Sequence, residues 1–133
     1  RGVRPVRLLL DTHAFLWWVG ASRGLSRKAR SAIGSGRNEC LVSIATAWEM
    51  AIKVSLGSLR IDGALDRFLP EQIAANGFLP LPIDLKHAAR VATLPFHHRD
   101  PFDRLLVAQA LEEELAVVTA DPVFAKYGVK RVW

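Results

Sequence analysis

Five short apolar runs separated by stretches of helical spacing constrain this chain more than any other feature. Residues 6–10, 40–44, 78–83, 116–119 and 129–133 are each too short for a helix and have the strongly apolar character of strands buried on both faces. Between them lie segments with recognisable helix starts and stops. These are residues 12–19 before Gly20, 26–35 closed by Gly34 and Gly36, 45–56 before Gly57, 64–75 before Asn76-Gly77, and 84–94 before Pro95. A further helix is expected from Pro101 to about Glu114, and a short one opens at Asp121-Pro122. The run 78–83 contains Pro80 and Pro82 and is expected at a sheet edge, whereas Pro70 is expected to break or kink its helix. The 45–56 helix is apolar nearly all round, so it is expected to be covered on two sides, the second by another subunit. Strands alternating with helices imply an α/β fold with a mostly parallel sheet.

At 133 residues, half of them apolar, the chain is expected to form one domain spanning residues 1–133. In an open sheet of this kind the functional crevice lies beyond the carboxyl ends of the strands. Asp11, Glu49, Asp100, Asp103 and Asp121 all fall just after a strand or in the first turn of a helix, so their convergence is expected. Two like charges about 4 Å apart repel by roughly 4 kcal/mol at an effective dielectric of 20, and several carboxylates together call for a cation or shared protons. Hard oxygen ligands of this type suit Mg2+ or Mn2+. Each acid but one also has an ordinary explanation. Asp11, Asp100 and Asp121 can cap the helices that follow them, and Thr46 with Glu49 fits the T-x-x-E capping box. Asp103 is the exception, because Asp100 already holds the cap position and Pro101 the first helical one.

The other chemistry-bearing residues point less sharply. His13, His87, His97 and His98 lack the i, i+4 spacing of a helical zinc pair and read as structural or substrate-adjacent. Cys40 is the only cysteine, which excludes an internal disulfide and a cysteine zinc site, suits a small core residue and points to a reducing cytoplasm. Ser43 and Thr119 read as strand-end or cap hydroxyls able to reach a carboxylate. No G-x-S-x-G, P-loop or G-x-G-x-x-G is present. The net charge of +5 suits a polyanionic partner, and Arg99, Arg104, Lys53 and Lys86 are candidates for phosphate contacts, a solvated helix face being the other reading. Trp17 and Trp18 are open to core packing or to base stacking. No window approaches the ~20 uncharged apolar residues of a membrane span, so a soluble protein is expected. The basic start, residues 1–7, is followed at once by Asp11 and His13, unlike a signal peptide, and a first residue other than Met suggests a trimmed or processed start.

Taken in order, several spaced motifs resemble the PIN-domain family, most nearly the VapC-type toxins of bacterial toxin–antitoxin pairs. They are Leu9-Leu10-Asp11-Thr12-His13 with Leu16-Trp17-Trp18, Ser43 through Trp48-Glu49, His98-Arg99-Asp100-Pro101-Phe102-Asp103-Arg104 continuing to Ala110, Val118-Thr119-Ala120-Asp121, and the ending Val132-Trp133. The resemblance runs from about residue 7 to the end. It implies a three-layer α/β sandwich with a central, mostly parallel sheet flanked by helices, and a ribonuclease site using Mg2+, for which Mn2+ substitutes. Matched position by position, Asp11, Glu49, Asp103 and Asp121 are the four acids of that site, and Asp100 is an additional acid of the subgroup. The resemblance further implies a water activated by the ion, a homodimer, an RNA substrate, a cognate antitoxin covering the site, and a bacterial cytoplasmic location. Two alternatives stay open: a PIN nuclease of RNA processing without an antitoxin, and a nonenzymatic RNA-binding module whose acids only cap helices.

Overall fold

A computed structural model describes residues 5–133; residues 1–4, part of the basic start, lie outside the described residues. In chain order the elements are β1 (Arg7–Leu10), α1 (Thr12–Val19), α2 (Arg27–Gly34), β2 (Glu39–Ser43), α3 (Ile44–Ser55), α4 (Leu65–Ala75), β3 (Leu79–Leu81), α5 (Leu85–Val91), α6 (Pro101–Glu113), β4 (Ala116–Val118), a 3-10 helix (Pro122–Tyr127) and β5 (Arg131–Val132). The five strands form one sheet in the order β3-β2-β1-β4-β5, and every pairing is parallel.

The strands are apolar throughout because both faces are covered. Leu8 and Leu10 of β1 face one side with Cys40, Val42, Val118 and Val132, against Phe15 of α1, Ile33 of α2, Met50 of α3 and Leu69 and Ile73 of α4. Leu9 faces the other side with Leu41, Leu81 and Val117, against Leu106, Val107 and Ala110 of α6 and Phe124 of the 3-10 helix. Helices, sheet and helices make three layers, the sandwich expected from the sequence. From β1 the chain steps one way to β2 and β3, then returns to add β4 and β5 on the far side of β1. The order reverses between β1 and β4, which is where an open parallel sheet leaves a crevice.

Several boundaries differ from expectation for local reasons. The third strand shortens to Leu79–Leu81 and sits at the sheet edge as expected, since Pro80 and Pro82 have no N–H to donate. The last strand shortens to Arg131–Val132. α4 runs through Pro70, whose exposed position lets the carbonyl it frees meet water. α5 stops at Val91 rather than Leu94. Gly57 and Gly77 take the left-handed conformation expected of helix stops, but beyond α1 it is Ala21, at φ 51°, that does so and not Gly20. α3 buries Ala45, Thr46 and Met50, with Ala45 in the core on the α6 side of the sheet and Met50 in the core on the other. Its Ile44 and Trp48, and Leu56 just past its end, are 43%, 57% and 75% exposed, so one chain leaves this apolar surface open.

Candidate functional site

Parallel strands point their carboxyl ends, and hence the starts of the following helices, at one edge of the sheet. Helix starts carry unpaired N–H groups that acidic side chains cap, so capping carboxylates collect at that edge. The Asp11 backbone N–H donates to the Val118 carbonyl at 3.2 Å, which holds the loops after β1 and β4 together at the switch point. Asp11 Oδ1 then accepts from Ala14 N at 2.8 Å as the cap of α1. Asp100 Oδ1 accepts from Phe102 N at 2.8 Å as the cap of α6, and Asp121 Oδ1 accepts from Val123 N at 2.9 Å as the cap of the 3-10 helix. Each cap uses one carboxylate oxygen for its backbone contact. Capping and a shared site are therefore compatible, where the sequence had set them as alternatives.

Glu49 caps nothing. α3 begins at Ile44 with Ser43 as its cap, so Thr46 lies inside the helix and the T-x-x-E capping box expected from sequence is not formed. Glu49 Oε1 instead accepts from the Thr12 hydroxyl at 2.6 Å, while Lys53 Nζ lies 3.0 Å from its other oxygen. The buried Thr46 hydroxyl stands 3.3 Å from Thr12 Oγ1 and supports it. Asp103, in the first turn of α6, meets His98 Nε2 at 3.1 Å, and the same nitrogen lies 2.7 Å from Asp121 Oδ2. Asp11, Glu49, Asp100, Asp103 and Asp121 all line one cavity of about 360 Å³, together with Thr12, His13, Trp17 and Lys53. A larger cavity of about 750 Å³ beside α2 is lined by Arg27, Lys28 and Arg37 and contains no carboxylate, so the chemistry lies in the smaller one.

Five carboxylates face one lysine there, and two of them, Asp103 and Asp11, bind protons more tightly than a free carboxylate does. Burial, then the neighbouring Asp100 charge, pushes Asp103 up to about 7, with Asp11 and Glu49 adding and His98 opposing. Burial also raises Asp11, against hydrogen bonds from the Thr119 side chain and the Ala14 backbone that lower it. A cavity walled by hard oxygen donors and short of positive charge is suited to a divalent cation with water completing its shell.

The basic candidates divide. Lys53 lines the cavity. Arg99 is exposed and is not part of the cavity wall. Arg104 is a correction: it is buried, donates to the Pro95, Val91 and Leu94 carbonyls at 2.9, 3.2 and 3.3 Å, and stacks 4.4 Å from the Phe96 ring. It binds the end of α5 to α6 and cannot reach a phosphate. Lys86 is a second correction, for it pairs with Glu113 at 2.9 Å outside the cavity. Buried His87 belongs to the same cluster: Nδ1 accepts from Asp84 N at 2.9 Å and Nε2 donates to Glu113 at 2.8 Å, a staple between α5 and α6. Ser43 caps α3 and donates to Gln109 Oε1 at 2.5 Å, away from the acids. Sequence reasoning gave Thr12 no role at the site, read Thr46 only as a capping residue, and read His98 only as structural or substrate-adjacent. Thr12 directly follows Asp11, the one local hint available.

The PIN domain family matches over residues 8–130. A 62-residue stretch is 34% identical to Ribonuclease VapC16 of Mycobacterium tuberculosis, covering 47% of this chain and 44% of that protein, so the match spans less than half of that relative. Among solved structures, VapBC2 from Rickettsia felis, bound to a DNA fragment from its promoter, is similar with a TM-score of 0.70 at 12% identity, covering 96% of this chain and 100% of that chain. VapBC-5 of Mycobacterium tuberculosis, a member of the VapBC family of toxin–antitoxin systems, has a TM-score of 0.58 at 21% identity, covering 96% and 98%. At these identities the structural likenesses speak for the fold. No helix among the described residues is long and apolar enough to cross a membrane.

Proposed function

The chain belongs to the PIN-domain family, and on that premise we propose that it is a divalent-metal-dependent ribonuclease serving as the toxin of a toxin–antitoxin pair. The observation that carries this reading is the gathering of Asp11, Glu49, Asp100, Asp103 and Asp121 on one cavity. The donor set fits Mg2+ or Mn2+: it consists of carboxylates, and Asp103 is held near pKa 7 by burial and by the neighbouring Asp100 charge, which a cation would offset. Asp11, Glu49, Asp103 and Asp121 would hold the ion, with Asp100 beside Asp103. A bound ion supplies Lewis acidity toward a water and toward the scissile phosphate.

The chain's own groups supply the rest. Thr12 and Lys53 fix the two oxygens of Glu49, and the backbone caps fix Asp11 and Asp121, so the carboxylates are ordered before substrate arrives. Lys53 is the cation on the cavity wall placed to meet a phosphate oxygen. Among the described residues no serine or cysteine lines the cavity and the Thr12 proton is committed to Glu49, so the chain offers no hydroxyl or thiol nucleophile there, and on this reading water attacks. Attack at phosphorus with departure of the 3′ oxygen leaves a 5′ phosphate and a 3′ hydroxyl.

The RNA substrate is supported by the likeness to Ribonuclease VapC16, and the toxin role with an antitoxin partner by the VapBC neighbours. Under this reading residues 1–133 act as a single PIN domain in the bacterial cytoplasm. The exposed α3 stripe supports a homodimer. The test is RNA cleavage by the purified protein in Mn2+, with mapping of the product ends. Termini of the stated kind, lost with chelator and with Asp11→Asn, are the expected result; a cyclic phosphate end would overturn the chemistry. Growth arrest on expression that disappears with Asp11→Ala is expected of a toxin, and its absence would favour an RNA-processing nuclease.

A further inference from the structure

We propose that His98 is a positioning residue of the carboxylate site, holding Asp103 and Asp121 together through the hydrogen on Nε2 while staying outside the coordination of the ion. The inference rests on the reading above that these carboxylates bind a divalent cation.

Each polar group that orients this residue is engaged. The His98 backbone N–H donates to the Tyr127 hydroxyl at 2.8 Å, and Nδ1 accepts from the Asp100 backbone N–H at 3.1 Å. Nε2 lies 2.7 Å from Asp121 Oδ2 and 3.1 Å from Asp103 Oδ2, and the ring meets Phe124 edge to face with centroids 6.2 Å apart. A ring nitrogen that accepts a backbone N–H carries no proton, so in the neutral ring the hydrogen resides on Nε2 and is directed at the two carboxylates. That tautomer leaves Nε2 without a lone pair for a metal. Reversing it would set an Nδ1–H against the Asp100 N–H. The three groups come close enough to be mistaken for a metal-binding trio, but the tautomer makes the imidazole a donor within it.

The consequence is mechanical. Asp103 stands on α6 and Asp121 caps the 3-10 helix, so they reach the cavity on separate elements. A shared donor ties their Oδ2 atoms to one point, while Asp121 Oδ1 is already fixed by Val123 N. A carboxylate oxygen that accepts one hydrogen bond keeps a further lone pair for a cation. Outer partners of this kind order metal-binding carboxylates, and their loss costs about 10–100-fold in metal affinity.

Two substitutions separate the two ends of the ring. In His98→Asn the amide oxygen can replace Nδ1 and keep the bond from Asp100 N–H, but the donor to the carboxylates is gone. In His98→Gln the longer amide can reach the Nε2 position and keep that donor. Mn2+ titrated calorimetrically into the full chain is expected to bind His98→Asn at least about tenfold more weakly than wild type. His98→Gln is expected to stay within about threefold, and Mn2+ bound to wild type is expected to give no directly coupled imidazole nitrogen in pulsed EPR. Unchanged affinity in His98→Asn would reduce the residue to a loop staple, tighter binding would make it a competitor of the ion, and nitrogen coupling would make it a ligand; each overturns the proposal, as does His98→Gln losing as much as His98→Asn. Wild type that binds no Mn2+ would end the site reading itself. Binding abolished by Asp103→Asn but untouched by His98→Asn would end only this inference.

Discussion

Asp103, like Glu49, has no capping duty, and its surroundings make it the most proton-hungry group of the site. Its folded-state pKa is raised from 3.8 to about 7, so between those values the native state holds a proton that the unfolded chain has released. The stability this confers is complete below about pH 4 and is lost as pH rises through about 7. Thermal melts in chelator should therefore show the wild type losing stability between pH 5 and pH 8. Asp103→Asn should lose less and be the more stable protein at pH 8, by roughly 1–2 kcal/mol after discounting for solvent screening. The same variant should lose at least about a hundredfold in Mn2+-supported cleavage, the trade expected when a charge is kept for chemistry at a cost in stability. Arg104 illustrates the opposite case. From sequence it sits one residue beyond Asp103 and reads as a phosphate contact, yet the carbonyls at the end of α5 claim its guanidinium. Arg104→Met should cost about 2–4 kcal/mol in urea unfolding because those carbonyls lose their donors. The salt dependence of RNA binding should not change.

At the level of elements, helix starts do two jobs with one carboxylate, and substitution can pull the jobs apart. Asn caps a helix about as well as Asp but carries no charge. Asp121→Asn should therefore melt within about 0.5 kcal/mol of wild type, whereas Asp121→Ala should lose about 1 kcal/mol with the contact to Val123 N. Both should lose metal-dependent cleavage; an active Asp121→Asn would reduce Asp121 to a cap. Caps and prolines also explain which elements were legible. α1 and α6 were readable because Asp11 and the Asp100-Pro101 pair mark their starts. The start of α3 was read within one residue of its place, but Thr46-x-x-Glu49 imitates a capping box there, and the Ser43 cap with Thr12 beside Glu49 shows that it is none. The strand ends were less legible, since pairing across the sheet decides them.

For the whole molecule, a basic body encloses an acidic cavity, and one face remains uncovered. The net charge of +5 favours a polyanion in general, while the cavity requires a cation before an anion can approach. The α3 helix leaves Ile44 and Trp48 exposed although it is apolar nearly all round. Trp48, packed against Phe102 with ring centroids 4.9 Å apart, stands at the centre of the open stripe. Trp48→Glu should convert a dimer to a monomer in sedimentation velocity without lowering the melting temperature of the chain by more than a few degrees, since the side chain is 57% exposed. A wild type that sediments as a monomer at micromolar concentration would remove the stripe as a self-association surface.

What the amino-acid order determined by itself was periodicity and punctuation: five apolar runs, the helices between them, and acids at the junctions where chemistry collects in a parallel sheet. These are local properties, set by side-chain spacing, cap chemistry and the missing N–H of proline. The tertiary structure alone decided which junctions meet. Placing β4 beside β1 joins Asp11 to Asp121, and setting α3 against α1 brings Glu49 to Thr12. The loop before α6 inserts His98 between two carboxylates from different elements. Those contacts depend on sheet order and on packing between segments distant in the chain, which no local pattern specifies.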